Sequence, residues 1–585
     1  MTVPRPAHPR PQFLRSSWLN LNGEWEFCFD HGRSGRERGL PCADRLDGRI
    51  LVPFCPESTL SGIGYRDFMY CIWYRRTFTL PPEWENKRIL LHFGAVDYDT
   101  EVWVNGVSVG KHRGGYTSFT MEITHALRPG ENSIVVCAED DTRSPLQPSG
   151  KQSPEYSYRQ HRCSYTRTTG IWQTVWLEAV PSTYLARLRI APDLENTCVH
   201  LLVLVNGPAK DMEVEAKAEF DGVMVGTVRA KVTAGLVQMV LTISPDQVRP
   251  WEPGGPFLYD LRLSLYYQGR IIDEVQSYFG LRSLGISGPA LLLNGRPLFH
   301  RLVLDQGYYP DGVYTAPSDE SLRKDIELAM AMGFNGARLH QKVFEERFLY
   351  WADKLGYLVW GEMANWGLDL SNPLALQRFQ TEWLEVLARD YNHPSIVGWC
   401  PFNETQVDQD PEILRQIYRL TKEIDPTRPC IDTSGWVHAG LTDVYDVHDY
   451  EQDPVIFAAH YRPNLPASSD INPHLGRIPY EARPTGGPFL VSEYGGIWWN
   501  PEQKDENGWG DGSRPASTEE LLARYRALTE TLLNDPRICG FCYTQLTDVE
   551  QEVNGLYTFQ REPKFSPNII KAINSQLAAI EKGVL

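Results

Sequence analysis

Two apolar runs in the second half of the chain end on a carboxylate. In "SIVGWCPFNET" the β-forming residues Ile396, Val397 and Trp399 give way to Asn403 and Glu404, and "PFLVSEYGG" runs out on Glu493. One polar strand end facing water is commonplace. Two glutamates at two strand ends make a chemical pair if the fold brings them together. Carboxyl groups about 5 Å apart on either side of a glycosidic bond can divide the work of a retaining glycosidase, one as nucleophile and one as acid/base. The roles make opposite demands. The acid/base must begin protonated, which a partly apolar site and a neighbouring anion favour, whereas the nucleophile must be ionised.

The scaffold expected for such a pair begins near residue 285. Helical patterns such as "SDESLRKDIELAMAMG", with a capping residue at Ser318, and "VFEERFLYWADKLG" alternate there with short apolar runs. The runs are "LFHRLVLDQG", "FNGARLHQ", "YLVWGEMANWG", "IVGWCPFNET", "PCIDTSGW", "VYDVHDYE", "PFLVSEYGG" and "ICGFCYTQLTD". Eight strands, most with a helix behind them, predict a (β/α)8 TIM barrel over 285–585 with its active site at the C-terminal strand ends. Glu404 ends the fourth run and Glu493 the seventh, about three β/α units of roughly 30 residues apart and so across the barrel mouth.

Other candidates stand at the same rim. Asp305 ends the first run, Arg338 and His340 the second, His448 and Tyr450 the sixth, and Tyr543 the eighth; Trp366 follows the third. Tyr450 is a phenol suited to hydrogen-bond a nucleophilic carboxylate, and His340 and His448 read equally as sugar ligands or as structural partners. Trp498, Trp499 and Trp509 lie on the polar segment after the seventh run, where exposed aromatics mean binding. His340, His448 and the two glutamates lack any spacing typical of metal ligands, so no metal and no cofactor is expected.

Ahead of the barrel the chain reads as all-β. Residues 1–181 predict a jelly-roll β-sandwich, with "EVWVNGVSVG" alternating around an Asn105-Gly106 hairpin turn. Residues 182–284, with "MEVEAKAEF" and "LYDLRLSLYY", predict an immunoglobulin-like sandwich.

Several of these stretches carry a resemblance. "GWCPFNET", "FLVSEYGG", "IDPTRP" and "NGLYTFQREPK" resemble the signatures of glycoside hydrolase family 2, and "VWVNGVSVGKHRGGYTSF" and "TTGIWQTVWLE" resemble that family's N-terminal sugar-binding sandwich. The likeness covers nearly the whole chain. It implies that Glu404 is the acid/base, that Asn403 reads the sugar 2-hydroxyl, that Glu493 is the nucleophile and that Arg338 supports its carboxylate. Asp305 stands where members commonly show His, and a sugar-hydroxyl contact is the role expected of it. Tyr543 stands where relatives often carry a Trp that floors the sugar ring.

The resemblance also bears on the substrate. Family β-glucuronidases carry an Asn-x-Lys whose Lys grips the uronate; here the aligned run "EVNGLYTF" offers Glu552 and Asn554. The expectation is therefore an exo-acting enzyme for a neutral β-glycoside, β-galactoside first, ahead of arabinoside, galactofuranoside, glucoside and mannoside, with β-glucuronidase as the alternative. A non-catalytic carbohydrate-binding protein is the reading from a different class, and it fits poorly with two intact glutamate motifs.

Composition excludes other partners. A net charge of −17 disfavours nucleic acid and anionic membranes. No apolar run reaches transmembrane length, and "MTVPRPAHPRPQF" lacks a signal-peptide core. Eleven scattered cysteines, an odd number, suit a reducing compartment, so a cytoplasmic protein is expected. The 17 Trp and 28 Tyr suit sugar recognition, where flat rings pack on pyranose faces. The sequence does not set the oligomeric state, and a homo-oligomer stays open.

Overall fold

The computed structural model describes residues 3–155, 162–461, 486–500 and 508–582. The first sandwich pairs a six-stranded sheet (Gly48–Val52, Gly23–Phe29, Cys71–Thr79, Glu131–Glu139, Asp99–Val104, Val107–Arg113) with a four-stranded one (Trp18–Asn20, Val175–Val180, Arg88–Phe93, Phe119–Glu122). Trp25, Phe27, Tyr74, Leu91, Phe93, Val136 and Leu177 fill the space between them. The expected hairpin is present: Asn105 and Gly106 both take positive φ, 51° and 81°, as a two-residue turn with the strands' own twist requires.

The second sandwich packs the sheet Tyr184–Asp193, Cys198–Asn206, Leu236–Thr242 on the sheet Val223–Lys231, Met212–Phe220, Tyr259–Tyr267, Arg270–Phe279. Its strands alternate as a half-buried sheet should: Met212, Val214, Ala216 and Ala218 point inward, while Glu213, Glu215 and Lys217 lie nearer the surface.

In the barrel, seven parallel strands follow one another in the order Ile396–Cys400, Leu358–Glu362, Gly336–Leu339, His300–Asp305, Ile538–Thr544, Phe489–Gly495, Tyr445–Asp449. The fifth expected strand, "PCIDTSGW", is reduced to single bridges along the fourth. Trp399 N–H donates to Pro429 O at 3.0 Å, Ile431 N–H to Trp399 O at 2.9 Å, and Ser434 N–H to Phe402 O at 2.8 Å. Two local features interrupt the ladder. Pro429 has no N–H to give, and Asp432 turns its carboxylate onto His438 and onto the Ala439 N–H. The outer helices start as their sequences dictate. Ser318 caps Asp319–Ala331, and Asn372, Asp410 and Asp453 cap helices whose first residue is Pro373, Pro411 and Pro454. Gly398 is obligatory, because a Cβ there would lie 2.4 Å from the Trp360 ring.

The N-terminal arm is a seam that sequence patterning did not announce. Arg5 donates to Ala316 O at 3.0 Å and to Glu345 at 3.1 Å, both in the barrel. Arg15 lies buried between Glu178 of the first sandwich (2.9 Å) and Asp273 of the second (2.9 Å). Removing one member of such a buried set strands the others without their counter-charge. Arg15→Ala is expected to lower stability by about 3–5 kcal/mol, read as a lower denaturation midpoint. A midpoint equal to wild type would show that the seam carries no stability.

Candidate active site

The barrel interior places a guanidinium at the centre of the site. Arg338, 1% exposed, sits on the second strand in register with Leu304 and Trp360 of its neighbours. Its Nη1 donates to Glu493 Oε1 at 2.7 Å, its Nη2 to Asn403 Oδ1 at 2.5 Å, and its Nε lies 2.6 Å from Glu362 Oε2. His340 Nδ1 stands 3.1 Å from Glu362 Oε1 and 3.8 Å from Glu493 Oε1.

Glu493 and His448 are register partners on the seventh and sixth strands. His448 Nδ1 meets Glu404 Oε1 at 2.8 Å, and its Nε2 lies 3.4 Å from Glu493 Oε1 and 2.9 Å from Ser434 Oγ. One oxygen of each glutamate and one His448 nitrogen lie within 4.8 Å of one another. Tyr450 O–H donates to Glu493 Oε2 at 2.5 Å and shares Thr544 Oγ1 at 3.0 Å.

The electrostatics divide the two carboxyl groups. Burial alone would raise the pKa of Glu493, but His448, Arg338, His340 and the Tyr450 hydroxyl hold it well below the usual carboxylate range. Burial opposes charge on His448 as well, yet Glu493 and Glu404 keep its pKa above the ordinary value. Tyr450 stays a phenol, its pKa pushed far up by burial and by Glu493. Glu404 is differently placed, with a side chain 20% exposed against 6% for Glu493. Its backbone takes φ 48°, a left-handed conformation costing a non-glycine residue about 1–2 kcal/mol. A hydrogen bond from its own N–H to Ser434 O at 2.8 Å helps to hold that turn.

Beside Glu404 lies a cleft of about 420 Å3 lined by Asn365, Trp366, Glu404, Thr405, Gln406 and Trp436. Asn403 Nδ2 is a buried donor with no partner among the described residues, beside Glu404 and available to a ligand hydroxyl. Glu404, His448 and Glu493 also have the composition of a metal-ligand set. A cation there would face the Arg338 guanidinium already bound to Glu493.

Of the residues expected at the rim, Glu404, Glu493, Asn403, Arg338, His340, His448 and Tyr450 converge, and Trp366 lines the cleft. Three expectations need correction. Tyr543 faces the helical layer, against Tyr525 (4.8 Å) and Tyr494 (5.4 Å), because strand alternation gives the mouth to Thr544 instead. Trp499 is core, 7% exposed, with its backbone N–H donating to Val553 O at 3.0 Å. Asp305 turns back on its own loop to accept the Gly307 N–H at 2.9 Å, and burial with Asp325 nearby pushes its pKa up to about 7. Trp498 is half-buried against Gly510, and Trp509 bridges Glu552; residues 501–507 of that polar segment lie outside the described residues. Sequence reading missed Glu362, Trp436, Lys151, Tyr165 and Asp511. Glu362 alone had a signal, as the last residue of an apolar run.

Together the barrel and its opposed carboxyl groups define a glycoside hydrolase. The chain belongs to glycoside hydrolase family 2: residues 62–181 match the family's sugar binding domain, 183–282 its middle domain and 290–495 its TIM barrel domain. A β-glucuronidase of Paenibacillus borealis is 25% identical across 94% of this chain and 96% of its own length. A β-galactosidase of Thermoanaerobacter pseudethanolicus is 26% identical across 62% of this chain and 48% of its own. Among solved structures, a Ruminococcus gnavus β-glucuronidase in complex with D-glucuronic acid superposes with a TM-score of 0.78 over 96% of this chain and 98% of its own, at 20% identity. No described helix is long and apolar enough to cross a membrane.

The donors around Glu493 yield a pH prediction. Tyr450→Phe removes one hydrogen bond to the carboxylate, so the pKa of Glu493 rises. The acid limb of kcat/KM is expected to move to higher pH by about one to two units, the equivalent of a charged hydrogen bond of about 1.5–3 kcal/mol. An unmoved limb would show that the phenol does not set this ionisation.

Proposed function

We propose that the protein is a retaining exo-glycosidase acting by double displacement on terminal, non-reducing β-linked sugars. The observation that carries the reading is the approach of Glu404 and Glu493 oxygens to within 4.8 Å, the short separation of a nucleophile and acid/base pair rather than the wider gap that admits a water for inversion. Glu493, held ionised, attacks the anomeric carbon. Glu404 protonates the departing oxygen and then, as a base, activates the water that releases the sugar. Asn403 offers its unpartnered Nδ2 to the 2-hydroxyl, and Arg338 keeps the nucleophile aimed. A binding protein without catalysis would have no use for a carboxylate ringed by donors that keep it charged.

For the sugar we propose a neutral β-glycoside, β-galactoside first. Support comes from Glu552 and Asn554, buried at the position where a Lys would meet a uronate. Glu552 accepts from Asn554 Nδ2 at 3.0 Å and from the Tyr165 hydroxyl. The glucuronidase names of several relatives favour a uronide as the second reading.

Glu493→Gln is expected to cut kcat by several orders of magnitude with unchanged melting, because it removes the nucleophile at constant volume. With Glu404→Ala, activated aryl glycosides should keep their first step and azide should restore turnover as the glycosyl azide. Wild-type turnover in the first variant, or no azide product in the second, would sink the assignment, as would a first-formed sugar of inverted configuration by proton NMR. Nitrophenyl β-galactoside should be cleaved with kcat/KM at least roughly a hundredfold above the β-glucuronide. The reverse order would overturn the sugar and leave the mechanism standing.

A further inference from the structure

The first sandwich reaches the catalytic centre. Its loop after Glu131–Glu139 docks on the segment behind the third barrel strand, where Ser149 and Gly150 N–H groups donate to Trp366 O at 2.9 and 3.1 Å. Gly150 has φ 57°, and a Cβ on it would lie 2.4 Å from Gln341 O, so the approach leaves no room for another residue. The next residue is Lys151. It is 7% exposed, and its ammonium lies 4.4 Å from the centre of the Trp366 ring. That ring's own N–H donates to Asn403 O at 3.3 Å, one residue before Glu404.

Among the described residues no carboxylate pairs with this ammonium within 4.0 Å, and the ring face is its one close partner. Its three donors have no hydrogen-bond partner among the described residues and remain for water or a ligand oxygen. Burial pulls its pKa down, but Cys163, Glu552, Glu493 and Glu404 more than offset that and keep it charged. The ring that carries this ammonium lines the cleft beside Glu404, so Lys151 stands next to that space.

Two acidic groups lie near Lys151. Glu552 is fixed by Tyr165, again from the first sandwich. Asp511 packs at Gly496, and burial with Glu552 and Glu493 nearby pushes its pKa up to about 8, so it is largely protonated at neutral pH. One donor-only cation, one acceptor and one carboxyl able to do both suit the hydroxyls of a neutral sugar. A uronate would gain Lys151 but meet the Glu552 carboxylate.

We propose that Lys151 is a specificity residue contributed by the first sandwich, donating to a hydroxyl oxygen of the bound neutral sugar opposite Glu552. The assignment rests on the neutral-sugar reading above. The test pairs Lys151→Met, with Lys151→Gln as a second variant should the first melt below wild type, with two measurements. The first is kcat/KM on nitrophenyl β-galactoside and β-glucuronide. The second is calorimetric binding of D-galactose and its 2-, 3-, 4- and 6-deoxy analogues. Expected are a fall of roughly a hundredfold in kcat/KM for the galactoside and one deoxy analogue that wild type binds at least about tenfold more weakly than galactose. In the variant that penalty should vanish, which a purely structural role would not produce. Galactoside kcat/KM within threefold of wild type, or deoxy penalties identical in both proteins, would overturn the contact. A loss confined to the glucuronide would show that Lys151 reads an anion and overturn the hydroxyl assignment. Failure of the sugar reading itself is distinguishable, since it appears as wild type inert towards the galactoside.

Discussion

The site depends on one buried guanidinium. Desolvating Arg338 is costly, and the cost is met only because Glu362, Glu493 and Asn403 take up its fork of donors in the barrel interior. Its planarity is essential to this: one rigid group reaches Glu493, the Asn403 amide beside Glu404 and the Glu362 carboxylate in fixed directions, which a lysine's point charge could not do. Leu302, Leu304, Trp360, Cys400 and Cys542 pack around it and keep water out, so the interactions act in a medium where charge matters.

From that centre follows the unlike treatment of two like side chains. Glu493 is gripped from three sides by Arg338, His448 and Tyr450 and has little freedom left. Among the described residues Glu404 has a single side-chain partner in His448, and it has greater exposure. The strained turn at Glu404 goes with this: the residue sits where the chain has left its strand, which ends at Cys400. Its position is fixed by the bridges to Ser434, which occupy the place of the missing fifth strand.

What the sequence made legible was whatever is local and periodic. Strand ends, helix caps and the Asn105-Gly106 turn each state their role within a few residues, and the barrel places strand ends in one ring. What it hid was set by direction and by distance along the chain. Tyr543 and Thr544 are neighbours, and only the phase of the strand decides which of them faces the mouth. Trp499 reads as exposed because its neighbours are polar, yet its backbone pairs with Val553 and draws the ring inward. Asp305 ends a strand as Glu493 does, but a turn two residues on captures its carboxylate. Lys151 and Tyr165 lay beyond reach, since nothing within a β-sandwich sequence reveals that its loops will be read by another domain.

The three domains are joined by contacts of this long-range kind. The seams are closed with ionisable groups. Arg15 holds Glu178 to Asp273, and Glu382 on the barrel helix Pro373–Asp390 accepts the Tyr116 N–H of the first sandwich at 2.9 Å, with burial pushing its pKa up to about 8. Apolar seams tolerate sliding, because burial has no preferred direction. Hydrogen bonds to buried carboxyl groups do not, since a small displacement leaves a polar atom unpaired at a cost of about 1–3 kcal/mol. Seams of this kind therefore act as register pins. Lys151 hangs from a loop fixed on one side by Trp366 O and on the other by the pairing of Tyr165 N–H with Lys151 O at 2.8 Å. Its backbone is thus held as firmly as that of a barrel residue.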